Sequence, residues 1–302
     1  MYDIIVIGAG PAGLSAAIYG RRALKSVLVL EALNYGGQII NTLDIENYPV
    51  ENHISGFEFA TKIYNQAKDL GALIKFEKVL DIKNFDDCKE VITNKDTYKG
   101  KTVIIATGSK NRKLGLESEE KFIGKGLSYC ATCDGAFYKE KDVCVVGGGN
   151  TALEDALYLS DIANMVYLIH RRDEFRGDIK TVNKLKEKEN VKIIYNANVT
   201  KLNGDNHLES IEIIDNLGNK DEIKVAGIFV AVGRIPATEF VNSLIKVNEA
   251  GYIIANENCH TNIKGIFVAG DTREKSLRQL VTATSDGAIA ATEAIKYIND
   301  IE

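Results

Sequence analysis

The sequence YDIIVIGAGPAG at residues 2–13 decides the fold of this chain. Its apolar start predicts a buried β-strand, its glycines predict a tight turn, and the pattern from residue 12 to about 24 is helical. A second apolar strand follows over residues 26–30. Strand, turn, helix and strand make a βαβ unit of the kind that binds dinucleotides, which predicts an α/β fold around a parallel sheet.

The glycines of this turn have separate tasks in a dinucleotide site. Gly8 makes the tight turn, Gly10 admits a pyrophosphate against the backbone, and Gly13 lets helix and strand pack closely. Glu31, at the end of the second strand, is placed to accept hydrogen bonds from an adenosine ribose, and its charge repels a 2′-phosphate. The site therefore favours FAD or NAD. The residues predicted to surround the phosphates at the helix N-terminus are Gly8, Gly10, Pro11, Ala12 and Gly13.

The same pattern returns 139 residues later. A strand over residues 142–147 leads into GGGNTA at 147–152, then a helix, then a strand over 165–169. A later echo of residues 104–108 in 229–233 repeats at an offset of 125. Two Rossmann-like copies of one nucleotide-binding domain are therefore predicted. The residues of the second turn that match the first are Gly147, Gly149 and Ala152.

The second copy differs from the first where its second strand ends. The position of Glu31 is taken by His170, and Arg171, Arg172 and Arg176 follow it in HRRDEFR. Guanidinium groups bind phosphate bidentately, and an arginine at this place accommodates a 2′-phosphate. The second site is therefore predicted to prefer NADPH over NADH, and a solvated basic patch is the alternative interpretation.

The motif CATC at residues 130–133 lies between the two nucleotide signatures. A CxxC motif in this setting predicts a redox pair, Cys130 and Cys133; half of a zinc site or two unrelated core cysteines are the alternatives. The adjacent Asp134 either serves the pair as general acid or base or belongs to an Asp-Gly turn. No metal is predicted, because the remaining candidate ligands are not suitably spaced: Cys88, Cys144, Cys259, His53, His170, His207 and His260.

Composition limits the possible functions. The chain has 302 residues, a net charge of −5 and no basic field that would attract nucleic acid or anionic lipid. No apolar run approaches the roughly 20 residues that a membrane-spanning helix needs. The start of the chain leads directly into a strand, and an odd number of cysteines suits a reducing compartment. We therefore expect a cytoplasmic protein that does not bind nucleic acid or membrane.

Three polar positions remain open to two interpretations, and a glycine is expected to lie beside the first nucleotide. Gln38 and Asn47 either contact a flavin or stabilise turns, and the residues alone favour turns. Gly108 ends an apolar strand and is expected near the adenine side of the first nucleotide. Asp271 follows a strand and Gly270, so it either contacts the ribityl or phosphate part of a flavin or caps a helix or turn.

In order along the chain, GAGPAG, CATCDG, GGGNTA, HRRDEFR, Gly270-Asp271 and Arg278-Gln279 closely resemble the motifs of low-molecular-weight bacterial thioredoxin reductases. The resemblance spans essentially the whole chain. It implies a homodimeric flavoprotein whose FAD domain is discontinuous, with an NADPH domain inserted into it. We accordingly predict an FAD domain from residues 1–111 and 242–302, and an NADPH domain with the redox pair at 112–241.

The resemblance also implies a role for individual residues. Asp134 would be the acid that serves the cysteine pair. The residues expected to line FAD are Gly37, Gln38, Asn47, Asp271, Arg278, Gln279 and Leu280, together with Gly108 and Gly270. The residues expected to hold NADPH are Asn150, Thr151, Arg171, Arg172 and Arg176, together with His170 and the glycine turn.

The activity implied is that of a thioredoxin-disulfide reductase. Electrons would pass from NADPH to FAD, then to the disulfide, then to oxidised thioredoxin or a similar small dithiol protein. Rotation of the NADPH domain is expected, with hinges at about 110–117 and 237–243. The alternatives are a peroxiredoxin or glutaredoxin-like acceptor, a reduced ferredoxin donor, or a flavin-binding redox sensor.

Overall fold

The computed structural model describes residues 1–42, 44–51, 53–241 and 244–302. The strands are β1 (Tyr2–Ile7), β2 (Val27–Glu31), β3 (Leu73–Phe76), β4 (Val79–Asn84), β5 (Lys89–Thr93), β6 (Thr97–Ile105), β7 (Ser109–Asn111), β8 (Leu127–Ser128), β9 (Asp142–Gly147), β10 (Met165–Ile169), β11 (Val191–Ile194), β12 (Ala197–Asn203), β13 (Ser210–Asp215), β14 (Lys220–Lys224), β15 (Gly227–Ala231), β16 (Arg234–Pro236) and β17 (Ile266–Val268).

Helices alternate with these strands. They are α1 (Pro11–Arg22), α2 (Gly56–Asp69), α3 (Glu119–Phe122), α4 (Ala131–Asp134), α5 (Asn150–Ser160), α6 (Ile179–Glu187) and α7 (Leu280–Ile301). Short 3₁₀ segments span Gly37–Asn41, Gly135–Tyr138 and Gly270–Thr272. Within the described residues no helix is long and apolar enough to cross a membrane.

The chain divides into two compact units. One comprises residues 1–110 and 235–302, and the other comprises residues 111–234. Each unit has its own apolar core, and among the described residues neither core includes a residue of the other unit. The predicted domain limit at residue 242 and the end of the predicted hinge at Ser243 lie outside the described residues.

The first unit is built on one mixed sheet. Its described strands run in the order β3-β2-β1-β6-β5-β4, and β17 also pairs with β6. The pairs joining β3, β2, β1, β6 and β17 are parallel, whereas β4, β5 and the start of β6 pair antiparallel. Helix α1 lies against this sheet, with buried Leu14 and Ala17 in a core that also contains Ala290 and Ala294 of α7. The C-terminal helix therefore completes the core that the N-terminal βαβ unit begins.

The second unit repeats this plan. Its parallel sheet has the order β11-β10-β9-β15-β8, and β12-β13-β14 form a separate antiparallel sheet. Strand register repeats as well, since Ile4 pairs with Val27 in the first unit and Val143 pairs with Val166 in the second. Both partners are displaced by the same 139 residues that separate the glycine turns. The prediction of an α/β fold with two Rossmann-like domains is therefore confirmed.

Candidate active site

The cysteine pair lies at the start of α4 in the second unit. Cys130 and Cys133 form a disulfide with their Cα atoms 5.3 Å apart, and both side chains are partly exposed. A zinc site would need these sulfurs as separate thiolates. The remaining cysteines, Cys88, Cys144 and Cys259, are buried free thiols, and burial raises the pKa of Cys259 to about 12. Among the described cysteines, Cys130 and Cys133 are therefore the two that solvent can reach.

Asp134 is held beside this pair by Ser128. The Ser128 hydroxyl donates a hydrogen bond to Asp134 Oδ2 at 2.6 Å, and the backbone N–H of Asp134 donates to the Cys130 carbonyl at 3.1 Å. Burial raises the pKa of the Asp134 carboxyl above its ordinary value, and the Ser128 hydrogen bond opposes this increase. A carboxyl with a raised pKa keeps its proton more readily, which suits a proton donor.

The first glycine turn brings backbone segments too close together for side chains. Gly8 has φ +108°, and a Cβ built on it would lie 2.4 Å from the carbonyl oxygen of Ala106. A Cβ on Gly13 would lie 1.9 Å from the carbonyl oxygen of Gly8. Gly10 is the N-cap residue of α1. A Cβ built on Gly10 would have the Cα of Gly37, at 3.9 Å, as its contact among the described residues. The N-terminus of α1 is therefore open to a phosphate group.

Glu31 is tied to the same turn. Its two carboxylate oxygens accept hydrogen bonds from the backbone N–H groups of Ala9, at 2.8 Å, and Leu33, at 2.9 Å. A carboxylate has about four acceptor positions, so ribose hydroxyls can still bind beside these N–H groups. The carboxylate thus fixes the conformation of the loop through these two hydrogen bonds.

The residues proposed for the flavin end come together from distant parts of the sequence. The Asn47 amide donates a hydrogen bond to Gln279 Oε1 at 3.2 Å across 232 residues of sequence. Gln279 also caps α7 through a reciprocal capping box with Thr282. Leu280, the first residue of α7, joins a small apolar cluster with Ile45. Gln38 is exposed within the 3₁₀ segment at residues 37–41.

Two buried polar atoms in this unit lack hydrogen-bond partners among the described residues. They are Nε of Arg278, whose guanidinium lies 4.1 Å above the Tyr252 ring, and Oγ of Ser109. Gly108, next to Ser109, has φ +69° and no atom within 4 Å of a built Cβ. Unsatisfied buried polar atoms are costly unless a ligand or water satisfies them. Together with the open glycine turn, they fit a bound dinucleotide.

Asp271 follows directly on a glycine that buried charges hold in place. Gly270 has φ +75°, and its N–H donates to Asp286 Oδ2 at 3.0 Å. Asp286 is 4% exposed and also pairs with Arg273 and Lys275. This network fixes the turn from which Asp271 projects, and no sequence pattern indicated it.

The second glycine turn reproduces the first. A Cβ on Gly147 would lie 2.4 Å from the carbonyl oxygen of Ala231, the counterpart of Ala106, and a Cβ on Gly149 would meet no atom within 4 Å. Ala152 is buried, and Thr151 is exposed at the start of α5. The Asn150 side chain accepts a hydrogen bond from the Asp178 N–H at 2.7 Å, which ties the turn to the start of α6.

The cationic cluster divides into a buried ring and exposed guanidinium groups. His170 is 7% exposed, stacks on Phe175 and hydrogen-bonds through Nε2 to the Glu174 carbonyl at 2.9 Å. Burial lowers the pKa of His170, which favours the neutral ring. The exposed groups, for which no acidic partner is found within salt-bridge distance in the described part of the chain, are Arg171, Arg172 and Arg176. His170 thus supports the loop, and the arginines remain available to an anion.

Two dinucleotide-binding units, one of which carries an exposed disulfide, define a nucleotide-dependent disulfide oxidoreductase. The chain matches the pyridine nucleotide-disulphide oxidoreductase family over residues 2–287. This chain belongs to that family. It uses FAD and NADPH as its cofactors.

Similarity to named relatives extends over the whole length. The chain is 41% identical to the thioredoxin reductase of Listeria innocua, covering 100% of this chain and 95% of the relative. It is 45% identical to a 34.2 kDa protein in the rubredoxin operon of Clostridium pasteurianum, covering 98% and 97%. The crystal structure of thioredoxin reductase from Streptococcus pyogenes matches with a TM-score of 0.94, 41% identity and 99% coverage of both chains. The predicted resemblance to thioredoxin reductases is therefore confirmed.

Proposed function

We propose that this protein reduces the disulfide of oxidised thioredoxin with electrons from NADPH. The observation that carries the proposal is the exposed Cys130–Cys133 disulfide within a dinucleotide-binding unit. Whole-length similarity to thioredoxin reductases supports thioredoxin as the acceptor. FAD, when bound, supplies a two-electron carrier between the nucleotide and the disulfide.

The first unit, residues 1–110 and 235–302, is the proposed FAD domain. The N-terminus of α1 would hold the pyrophosphate and Glu31 the adenosine ribose. The Asn47–Gln279 pair and Arg278 would orient the flavin, and the unpaired Nε of Arg278 supports this assignment. The other residues proposed to line FAD are Gly8, Gly10, Pro11, Ala12, Gly13, Gly37, Gln38, Gly108, Gly270, Asp271 and Leu280.

The second unit, residues 111–234, is the proposed NADPH domain. Its pyrophosphate would lie at the N-terminus of α5, where Gly149 leaves space. The exposed guanidinium groups after β10 would bind the 2′-phosphate and so favour NADPH over NADH. The residues proposed to hold NADPH are Gly147, Gly149, Asn150, Thr151, Ala152, Arg171, Arg172 and Arg176, with His170 positioning the loop.

Opening the Cys130–Cys133 bond to two thiols consumes two electrons and two protons. We assign one of these protons to the Asp134 carboxyl, which becomes a carboxylate. One thiol then loses its proton, and the resulting thiolate attacks the acceptor disulfide to form a mixed disulfide. The second cysteine sulfur displaces the acceptor, which leaves as a dithiol, and the Cys130–Cys133 bond forms again.

A homodimer and a cytoplasmic location are also proposed. The reducing chemistry itself favours a reducing compartment.

Competing proposals change the acceptor to a peroxiredoxin or glutaredoxin-like protein, change the donor to reduced ferredoxin, or make the protein a redox sensor without turnover. The assay that follows separates each of them from the proposed function.

The test is anaerobic titration of the purified flavoprotein with NADPH or NADH, followed by steady-state NADPH oxidation in the presence of thioredoxin. We expect NADPH, but not NADH, to bleach the flavin and to support thioredoxin reduction. A Cys130→Ser variant should retain bleaching and lose thioredoxin reduction, whereas the control Cys88→Ala should retain both. Bleaching without thioredoxin reduction by the unaltered protein would refute the acceptor, and failure of both nucleotides would refute the NADPH donor.

A further inference from the structure

Ser128 is buried at the end of β8, two residues before the redox pair. It is 6% exposed, and β8 pairs in parallel with β15, where Ser128 lies opposite Phe229. This pairing fixes the backbone of Ser128 independently of the short helix α4. Its hydroxyl therefore projects from a rigid strand toward the more exposed segment that carries the cysteines.

Three hydrogen-bond contacts meet at Ser128 Oγ. The Cys130 N–H donates to it at 3.0 Å, Asp134 Oδ2 lies 2.6 Å away, and the Cys130 carbonyl oxygen lies 3.3 Å away. A serine hydroxyl has one hydrogen to donate and two lone pairs that accept. The Ser128 hydroxyl cannot donate to Asp134 Oδ2 and to the Cys130 carbonyl oxygen at once. The protonation state of Asp134 therefore determines which of the two oxygens accepts its hydrogen.

The two states of Asp134 can both be satisfied. When Asp134 is ionised, the Ser128 hydroxyl donates to the carboxylate and accepts from the Cys130 N–H. When Asp134 is protonated, its O–H can donate to Ser128 Oγ, and the Ser128 hydrogen turns to the Cys130 carbonyl. Neither state leaves this buried hydroxyl without a hydrogen-bond partner, which would be destabilising.

We propose that Ser128 is a positioning residue that holds the Asp134 carboxyl in one orientation through both of its protonation states. This inference rests on the proposed function, because it assigns Asp134 as the source of one proton when the disulfide opens. In that step the S–S bond breaks, and each sulfur gains one proton and one of the two electrons that NADPH would supply through bound FAD. One proton comes from Asp134, which changes from acid to carboxylate, and the other comes from solvent. Ser128 then stabilises the carboxylate as it forms.

The surroundings of Asp134 agree with this role. Burial raises the pKa of Asp134, and the Ser128 hydrogen bond lowers it. The charge of Asp134 acts on Tyr138, whose own pKa is raised to about 12 by burial and by that charge, and the cysteine pair is titratable once it is reduced. Helix α5 contributes Tyr158, which lies against Gly135. Removing the hydroxyl should therefore raise the pKa of Asp134 further.

The test is a carbon-13 titration of the aspartate carboxyl groups in the oxidised protein. Asp134→Asn identifies the Asp134 signal by its absence. We expect Ser128→Ala to move the titration midpoint of that signal to higher pH, and Ser128→Thr, which keeps a hydroxyl, to restore it. An unchanged midpoint in Ser128→Ala would overturn the inference. This measurement needs no turnover, so it remains decisive if the proposed function fails.

The rate of disulfide reduction provides a second readout. In single-turnover reduction we expect Ser128→Ala to be about 10-fold slower, as loss of a hydrogen bond to a charged group implies. The pH dependence of this rate should lose one ionisation in Asp134→Asn. The midpoint of that ionisation should shift in Ser128→Ala, and Ser128→Thr should recover both the rate and the midpoint. A slower rate with an unshifted profile would show that Ser128 is merely structural.

Discussion

At the scale of single residues, the proposed assignment of the two cofactor sites rests on the change from Glu31 to His170-Arg171-Arg172. The carboxylate of Glu31 is bound to two backbone N–H groups, so it has a fixed position at the end of β2. His170 is buried, and the guanidinium groups beside it are exposed. Under the proposed function, this difference in charge at equivalent positions of two similar folds would separate a ribose site from a 2′-phosphate site.

The double variant Arg171→Ala/Arg172→Ala tests this assignment. We expect kcat/KM for NADPH to fall about 100-fold, because charge-assisted hydrogen bonds to the 2′-phosphate are lost, while kcat/KM for NADH hardly changes. Steady-state kinetics with both nucleotides measure the ratio of kcat/KM for NADPH to kcat/KM for NADH. The control Lys180→Ala removes an exposed positive charge nearby. Equal losses for both nucleotides would contradict the 2′-phosphate assignment.

Asp3 provides a pH-dependent contribution to stability. Burial raises its pKa, but hydrogen bonds from Lys101 and Ser26 outweigh burial and lower the pKa from 3.8 to about 2. A lowered carboxylate pKa stabilises the fold above the unfolded-state value and loses this contribution as the pH falls from about 4 to about 2. At pH 7 the contribution is about 2 kcal/mol.

We therefore expect Asp3→Asn to lower the free energy of unfolding by about 2 kcal/mol at pH 7, and by much less at pH 2. Urea unfolding followed by circular dichroism measures both values. The exposed Asp86→Asn is the control. If the loss at pH 2 equalled that at pH 7, Asp3 would stabilise the fold by packing and not by its charge.

At the scale of elements, the packing of α7 on α1 is the decisive contact of the first unit. A Cβ on Gly287 of α7 would lie 2.1 Å from the carbonyl oxygen of Ala12. Because this oxygen belongs to the backbone, the clash could be relieved only by a shift of one helix relative to the other. The two helices therefore approach closely at the end of α1 that is proposed to bind the pyrophosphate. Helix α7 is Leu280–Ile301, and periodicity along this helix does not identify the partner of Gly287.

Gly287→Ala tests this close approach. Alanine favours a helix over glycine by about 1 kcal/mol, but the clash with α1 should reverse the gain and destabilise the protein by about 2 kcal/mol. We expect reduced FAD content after purification, measured from the ratio of flavin to protein absorbance. The control Ser285→Ala lies on the exposed side of the same helix. A Gly287→Ala protein with full FAD content and unchanged stability would show that the helices separate at little cost in free energy.

At the scale of the whole molecule, the separate cores predict that the inserted unit folds alone. As far as the described part of the chain shows, the apolar clusters of residues 111–234 contain no residue from outside this range. We expect residues 111–234, produced as an independent chain, to unfold cooperatively and to bind NADPH. Dithiothreitol should reduce its Cys130–Cys133 disulfide, whereas NADPH should not, because the proposed FAD domain is missing.

Circular dichroism on heating and nucleotide fluorescence measure these properties. A control chain with Leu153→Asp, which places a charge at a fully buried position of the same core, should not fold. An excised unit that remained unfolded under native conditions would mean that its two clusters are insufficient without the rest of the chain.

The sequence by itself determined the features that neighbouring residues encode: the two βαβ units, their constant offset, the CxxC motif and the arginine cluster. Each depends on local periodicity or on residue chemistry within a few positions, so no knowledge of packing is needed. Only the tertiary structure decided that Asn47 meets Gln279, that Gly287 meets Ala12, and that Ser128 is the partner of Asp134. The first two join residues more than 200 positions apart, and the third depends on β8 being anchored to β15. Such contacts arise from how elements pack, which patterns along one strand or helix do not specify.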